Sequence, residues 1–239
     1  MLQDDGQYVM YYSAALKGLP DKHCLGVALS SNPVGPFQPI GDTPLLCPNP
    51  DGRGYNAFPT IASPGQGGAI DASGFRDVDG KLYITYKVDG NALGSGGSCN
   101  NGDGAQSTPL MLVAVGSDGF TPVGEPVQLL DRIFGLDGPL IEAPNLVRRR
   151  DGTYNLFFSS NCYSSPMYDV SWATSQSLFG PYERRGPLLT TGAFGLVAPG
   201  GASVADDGIH MAFHADFGGG RAMYTNRMGG QRDVVRLVA

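Results

Sequence analysis

The alternation of apolar and polar positions repeats along this chain. Four times an Asp-Gly pair is followed by a run of aromatic and aliphatic residues. The copies are Asp5-Gly6-Gln7-Tyr8-Val9-Met10-Tyr11-Tyr12-Ser13, Asp79-Gly80-Lys81-Leu82-Tyr83-Ile84-Thr85-Tyr86-Lys87, Asp151-Gly152-Thr153-Tyr154-Asn155-Leu156-Phe157-Phe158-Ser159 and Asp207-Gly208-Ile209-His210-Met211-Ala212-Phe213-His214. Asp-Gly supplies the backbone angles of a tight hairpin turn. The residues after it suit a pleated, buried strand. A further strand follows each copy, over 25–30, 111–115, 170–174 and 222–226. Three of these lead into a turn (Gly35-Pro36-Phe37, Asp118-Gly119-Phe120, Gly180-Pro181-Tyr182) and a short last strand.

Each unit therefore reads as an antiparallel sheet of about four strands. Several such sheets arranged radially make an all-β propeller. A stacked sandwich is the alternative, but it does not call for such repetition. The spacing predicts one domain over 1–239, with an incomplete first unit over 1–47 and blades over 55–130, 136–190 and 195–239.

The strand ahead of each Asp-Gly turn carries the candidate chemistry. Asp71 lies eight residues before Asp79, Glu142 nine before Asp151, and Pro199 eight before Asp207. We expect these to be equivalent positions on successive innermost strands, facing one channel. Eight residues before Asp5 falls off the start of the chain, so the first unit is expected to lack its inner strand.

Alone, Asp71 reads as an Asx-turn residue and Glu142 as a surface glutamate. Two acids at matching repeat positions reverse that reading. A pair of carboxylates at a channel mouth is what glycoside hydrolysis needs: one donates a proton to the leaving oxygen, the other activates water or attacks the sugar. A charge on Asp71 would keep the proton on Glu142 by like-charge repulsion.

Composition narrows the alternatives. Gly (36) and Pro (18) are too abundant among 239 residues for a helical protein, and 41% apolar residues suffice for a core. Net charge is −6, with pI about 4.9, which argues against nucleic acid. The one basic triplet, Arg148-Arg149-Arg150, precedes a turn and reads as solvated. No stretch is apolar enough to span a membrane. The start, Met1-Leu2-Gln3-Asp4-Asp5, is polar at once and is no signal peptide, so the chain is either cytosolic or lacks its leader. Cys24, Cys47, Cys99 and Cys162 form no CxxC pair, which disfavours zinc. We expect Cys24–Cys47 and Cys99–Cys162 disulfides and an extracellular location, with four buried thiols as the alternative.

The settings Ala69-Ile70-Asp71, Ile141-Glu142-Ala143-Pro144 and Ala198-Pro199-Gly200, with the closing Met211-Ala212-Phe213-His214, resemble the motifs of glycoside hydrolase family 43. The resemblance covers essentially the whole chain, and the stretch 70–91 is similar to fungal secreted members. It implies a five-bladed propeller, of which about four blades are present, acting on arabinose- or xylose-containing polysaccharide. It also implies an inverting mechanism with three acids. Glu142 matches the general acid, and Asp71 the acid that tunes and orients it. His214 matches a histidine at the channel centre that in many members helps hold calcium or a water cluster. Arg221 looks like the arginine that steadies the carboxylates or the sugar; otherwise it is a hairpin-end residue.

The family's general base, an aspartate on the first blade, has no counterpart here, and Asp4 and Asp5 belong to a turn. Truncation, a blade supplied by another chain, or a four-bladed relative would each explain this. A catalytically impaired, sugar-binding propeller is the competing function. Phe58, with Tyr55 and Asn56, is expected on the loop into the Asp71 strand, to stack on sugar or plug a blade interface. Asn161-Cys162-Tyr163 is expected to line the site, and Trp172 to be core. Gly90–Gly104 reads as a rim loop, and exposed blade edges suggest self-association.

Overall fold

The computed structural model describes residues 1–17, 19–47, 67–102, 104–229 and 236–238. They form four antiparallel sheets. The first is β1 (Tyr8–Leu16), β2 (Leu19–Ser30) and β3 (Gln38–Pro39). The second is β4 (Ala69–Arg76), β5 (Leu82–Val88), β6 (Leu110–Val115) and β7 (Val127–Leu130). The third is β8 (Ile141–Arg148), β9 (Tyr154–Ser160), β10 (Val170–Ser175) and β11 (Glu183–Leu189). The fourth is β12 (Gly200–Val204), β13 (His210–Phe217), β14 (Gly220–Gly229) and β15 (Arg236–Val238).

The repeat has one local cause. In all four Asp-Gly turns the glycine takes a positive φ, at 83°, 81°, 89° and 67° for Gly6, Gly80, Gly152 and Gly208. In each, the aspartate Oδ1 accepts the backbone N–H two residues on: Gln7 at 2.9 Å, Lys81 at 3.1 Å, Thr153 at 3.0 Å and Ile209 at 2.7 Å. The side chain thus mimics a backbone turn while glycine avoids the steric cost of the left-handed region.

Packing distinguishes the propeller from the sandwich. A sandwich buries one core between two sheets. Here three separate clusters lie between successive sheets. Leu25, Ala69 and Ile84 join the first to the second. Phe75, Leu112, Ile141 and Phe158 join the second to the third. Phe157, Trp172, Val204 and Phe213 join the third to the fourth. Trp172 is core, as its strand position suggested.

Buried polar groups tie the inner strands together. Asn145 on β8 donates from Nδ2 to Ser73 Oγ on β4 (2.9 Å) and accepts Val204 N–H on β12 through Oδ1 (2.9 Å). Met1–Gln3 pair with the start of β1: the Met1 ammonium donates to the Val9 carbonyl at 2.6 Å, and the Val9 N–H donates to the Met1 carbonyl at 2.7 Å. Met1–Gln3 therefore lie beside β1, with Leu2 bridging Tyr8 antiparallel.

The arginine triplet is not simply a solvated turn. Arg148 is half-buried, lies 5.4 Å from the centre of the Tyr154 ring and 3.7 Å from Asp77 Oδ1. The wall supplied by Tyr154 makes this a packing position for the arginine stem.

Candidate active site

The strand register refines where the acids sit. On β4 and β5 the pairing steps from Ile70↔Lys87 to Ser73↔Thr85; on β8 and β9 it steps from Glu142↔Ser159 to Asn145↔Phe157. Two residues thus oppose one in each, which is a β-bulge. Glu142 is therefore equivalent to Ile70, and Asp71 to Ala143, one residue away from the equivalence expected of Asp71. The one- or two-residue slack of turn counting hides such an offset. In a regular strand it would send Asp71 to the opposite face. The bulge corrects it: Asp71 and Ala143 both take positive φ, 59° and 54°. Neither is glycine, so each carries backbone strain of about 1–3 kcal/mol, a cost concentrated at functional sites.

This conformation aims the Asp71 carboxylate at the peptide after Glu142, where Oδ2 accepts the Ala143 N–H at 3.0 Å. Burial first, then the Glu142 carboxylate, push Asp71 up to about 6, against the pull of the Lys87 ammonium and the Ala143 N–H. Stability should follow. The native chain binds more protons at Asp71 than the unfolded chain between its ordinary 3.8 and about 6. Raising the pH through that window therefore destabilises the fold. Asp71→Asn should flatten this part of the profile, read as urea midpoints at several pH values. Equal slopes in parent and variant would refute the assignment.

Both Glu142 oxygens are held. Tyr168 O–H donates to Oε1 at 2.8 Å, and Lys87 Nζ lies 3.3 Å from Oε2. Lys87 is wholly buried and also lies 3.3 Å from Asp89 Oδ1. Burial opposes the Lys87 charge, but Glu142, Asp89 and Asp71 outweigh it and raise its pKa. Burial also pushes the Tyr168 phenol up, so it stays a hydrogen-bond donor.

His214 and Arg221 support Tyr168. The His214 ring stacks on Tyr168, centroids 5.9 Å apart and planes 22° apart, while the Arg221 guanidinium lies 5.3 Å from the Tyr168 ring centre. Arg221 Nε donates to His214 Nδ1, and its Nη atoms to Asp216 Oδ1 (2.6 Å), Ala198 O (2.6 Å) and Tyr163 O (3.1 Å). Arg221 thus reaches the acids through Tyr168, and the carboxylate it grips is Asp216. Burial, then Arg221, hold His214 below the usual histidine range. Two glycines make room: a Cβ on Gly200 would lie 1.9 Å from Tyr168 Cε1, and one on Gly201 2.3 Å from His214 Nε2.

The residues near His214 fit calcium poorly. Calcium takes six to eight oxygen ligands. His214 Nδ1 is occupied by a cation's N–H, and Glu142 and Asp216 are engaged by Lys87, Tyr168 and Arg221. Among the described residues no group of three or more His, Cys, Asp or Glu side chains could hold a metal ion.

Asn161 follows the end of β9 and is held by backbone partners. Its N–H donates to Asp137 O (2.8 Å), its Nδ2 to Met167 O (3.2 Å), and it lines a cavity of about 370 Å³ with Trp172, Asp169 and Arg184. Phe58, Tyr55 and Asn56 lie outside the described residues. Both expected disulfides are present, Cys24–Cys47 and Cys99–Cys162. A cavity of about 1020 Å³ lies at the other end of β8, around Arg148, Arg149, Arg150 and Asp207. Lys87, Asp89 and Tyr168 were not singled out from sequence. A lysine ending the apolar run Leu82-Tyr83-Ile84-Thr85-Tyr86 was the available signal for the first.

Comparison with known proteins gives the family and the fold. The family model for glycosyl hydrolases family 43 matches residues 1–229, so the chain belongs to that family. Its all-β fold is a propeller of the family type. A thermostable family-43 glycoside hydrolase superposes with a TM-score of 0.75 at 22% identity, covering 100% of this chain and 73% of that one. An endo-1,4-beta-xylanase from Bacteroides thetaiotaomicron VPI-5482 gives 0.71 at 23%, covering 100% and 72%. An endo-arabinase from the same organism gives 0.69 at 17%, covering 97% and 74%. No curated protein sequence matches the chain.

Proposed function

We propose that this glycosidase hydrolyses pentose-containing plant polysaccharide with inversion, with Glu142 as proton donor and Asp71 as the acid that orients it. The carrying observation is the bulge pair, which turns two acids from neighbouring sheets onto one spot. Asp71 grips the Ala143 N–H, so it fixes the backbone that presents Glu142.

A polymeric substrate is supported by the rim. Glu142 lies at the start of β8, so the loops before β8, after β9, before β12 and after β13 emerge at its end of the molecule. These loops, with the last residue of β13, carry exposed Phe134, Tyr163, Phe194 and Phe217. Aromatic faces at a channel mouth suit stacking on sugar rings. Two disulfides support an oxidising, extracellular setting. Among the described residues no helix is long and apolar enough to cross a membrane.

A second reading, a sugar-binding propeller without turnover, is favoured by one observation. Of the nearby carboxylates, Asp89 faces Lys87 and Asp216 is bonded to Arg221. Asp4 pairs with Arg76 at 3.0 Å. Among the described residues none of these three is free of a cation partner to activate water. Incubation with aryl arabinofuranoside, aryl xyloside and arabinan separates the two. The enzyme reading expects release of sugar whose first-formed anomer is inverted, seen by proton NMR. Binding of a pentose oligosaccharide by calorimetry with no product would establish the second reading instead.

A further inference from the structure

The two donors on Glu142 are not equivalent. A carboxylate has lone pairs to spare beyond one donor on each oxygen, but each donor, and the Lys87 charge above all, stabilises its ionised form. Glu142 takes up a proton more readily when one donor lets go. Tyr168 cannot readily do so. Its ring packs against the His214–Arg221 pair, its edge rests on Gly200, and its O–H···Oε1 contact is the shorter, 2.8 Å. Lys87 has the longer contact, 3.3 Å, and a second anion at the same distance in Asp89. It can swing its hydrogen bonds to Asp89 without leaving its charge unpaired in the interior, which would be the costly alternative.

We propose that Lys87 is a positioning residue for Glu142: with Tyr168 it pins the carboxylate, and by yielding to Asp89 it frees Oε2 as the oxygen that carries the proton. The donor role of Glu142 rests on the function proposed above; the clamp itself does not. It stands on the charged and ring-bearing groups around the carboxylate among the described residues. These are Lys87 on β5, Asp89 just beyond it, Asp71 on β4, Tyr168 before β10, and His214 on β13 backed by Arg221 on β14.

The clamp is testable without substrate. Protein labelled with carbon-13 at the glutamate carboxyl is titrated by NMR, and the Glu142 signal is identified by its loss in Glu142→Gln. Lys87→Met removes the cation beside Oε2, so the Glu142 signal should titrate about one pH unit higher than in the parent, a tenfold gain in proton affinity. Asp89→Asn leaves Lys87 with Glu142 as its main partner and should move the signal the other way. Lys87→Arg should stay near the parent. A residue that merely fills space would move the signal in neither direction. If Lys87→Met does not fold, Asp89→Asn, which keeps the shape of its site, decides alone. An unmoved signal in the folded variants overturns the proposal. Turnover by Glu142→Gln, measured separately, tests the donor role, so the two ideas fail independently.

Discussion

Glu142→Gln is expected to lower kcat/KM on a pentoside with a poor leaving group by two to four orders of magnitude, about 3–5 kcal/mol of transition-state stabilisation. The amide keeps the size of the side chain, and its oxygen can accept from Tyr168, as Oε1 does now. Its NH2 would then face the Lys87 ammonium, a donor against a donor, in place of the present contact with Oε2. What it cannot do is deliver a proton. The sharper test is therefore how the loss depends on the leaving group. A dinitrophenyl pentoside departs with little protonic help, so the deficit should shrink severalfold or more compared with a methyl pentoside or arabinan. A deficit of the same size on every substrate would mean that Glu142 positions sugar rather than protonating it. No deficit at all would remove Glu142 from the reaction.

The fold was legible because each repeat is announced locally. An aspartate that caps its own turn and a glycine at positive φ recur four times, and both are chemical necessities of the same hairpin. The acids were legible by their spacing ahead of those turns, but only to within a residue. Turn counting assumes regular strands, and the bulges at Asp71-Ala72 and Ala143-Pro144 are tertiary features that alanine, proline and aspartate do not advertise. What surrounds the acids was harder to see. Tyr168 lies 26 residues from Glu142 and Lys87 lies 55 away, on elements that meet only when sheets pack. Lys87 stood out faintly, as a charge at the end of an apolar strand. Tyr168 did not stand out, because a tyrosine before a strand is ordinary. Its role depends on Gly200 leaving space for the ring, a relation between distant residues that no local pattern carries.

Removing the Cys99–Cys162 disulfide is expected to cost the most stability. The bond joins residues 63 apart in sequence, linking the loop between β5 and β6 to the loop between β9 and β10. It therefore staples the second sheet to the third at the end of the molecule where Glu142 lies. Chain-entropy arguments assign such a closure about 4 kcal/mol, a large fraction of the stability of a typical domain. The Cys24–Cys47 bond closes a loop of 23 residues within the first sheet's own segment and should contribute somewhat less. The consequences also differ in kind. Tyr163 and Tyr168 lie on the loop that carries Cys162, and Arg221 holds that loop by the Tyr163 carbonyl. With the staple gone, the loop should loosen, and the Tyr168 bond to Glu142 with it. A Cys99→Ser, Cys162→Ser double variant should thus lose both urea stability and sugar affinity or turnover, whereas Cys24→Ser, Cys47→Ser should lose stability alone. Urea midpoints and oligosaccharide calorimetry on the two variants read this directly. Equal effects of the two double variants on the site would show that the Cys99–Cys162 bond holds the fold without arranging Tyr168.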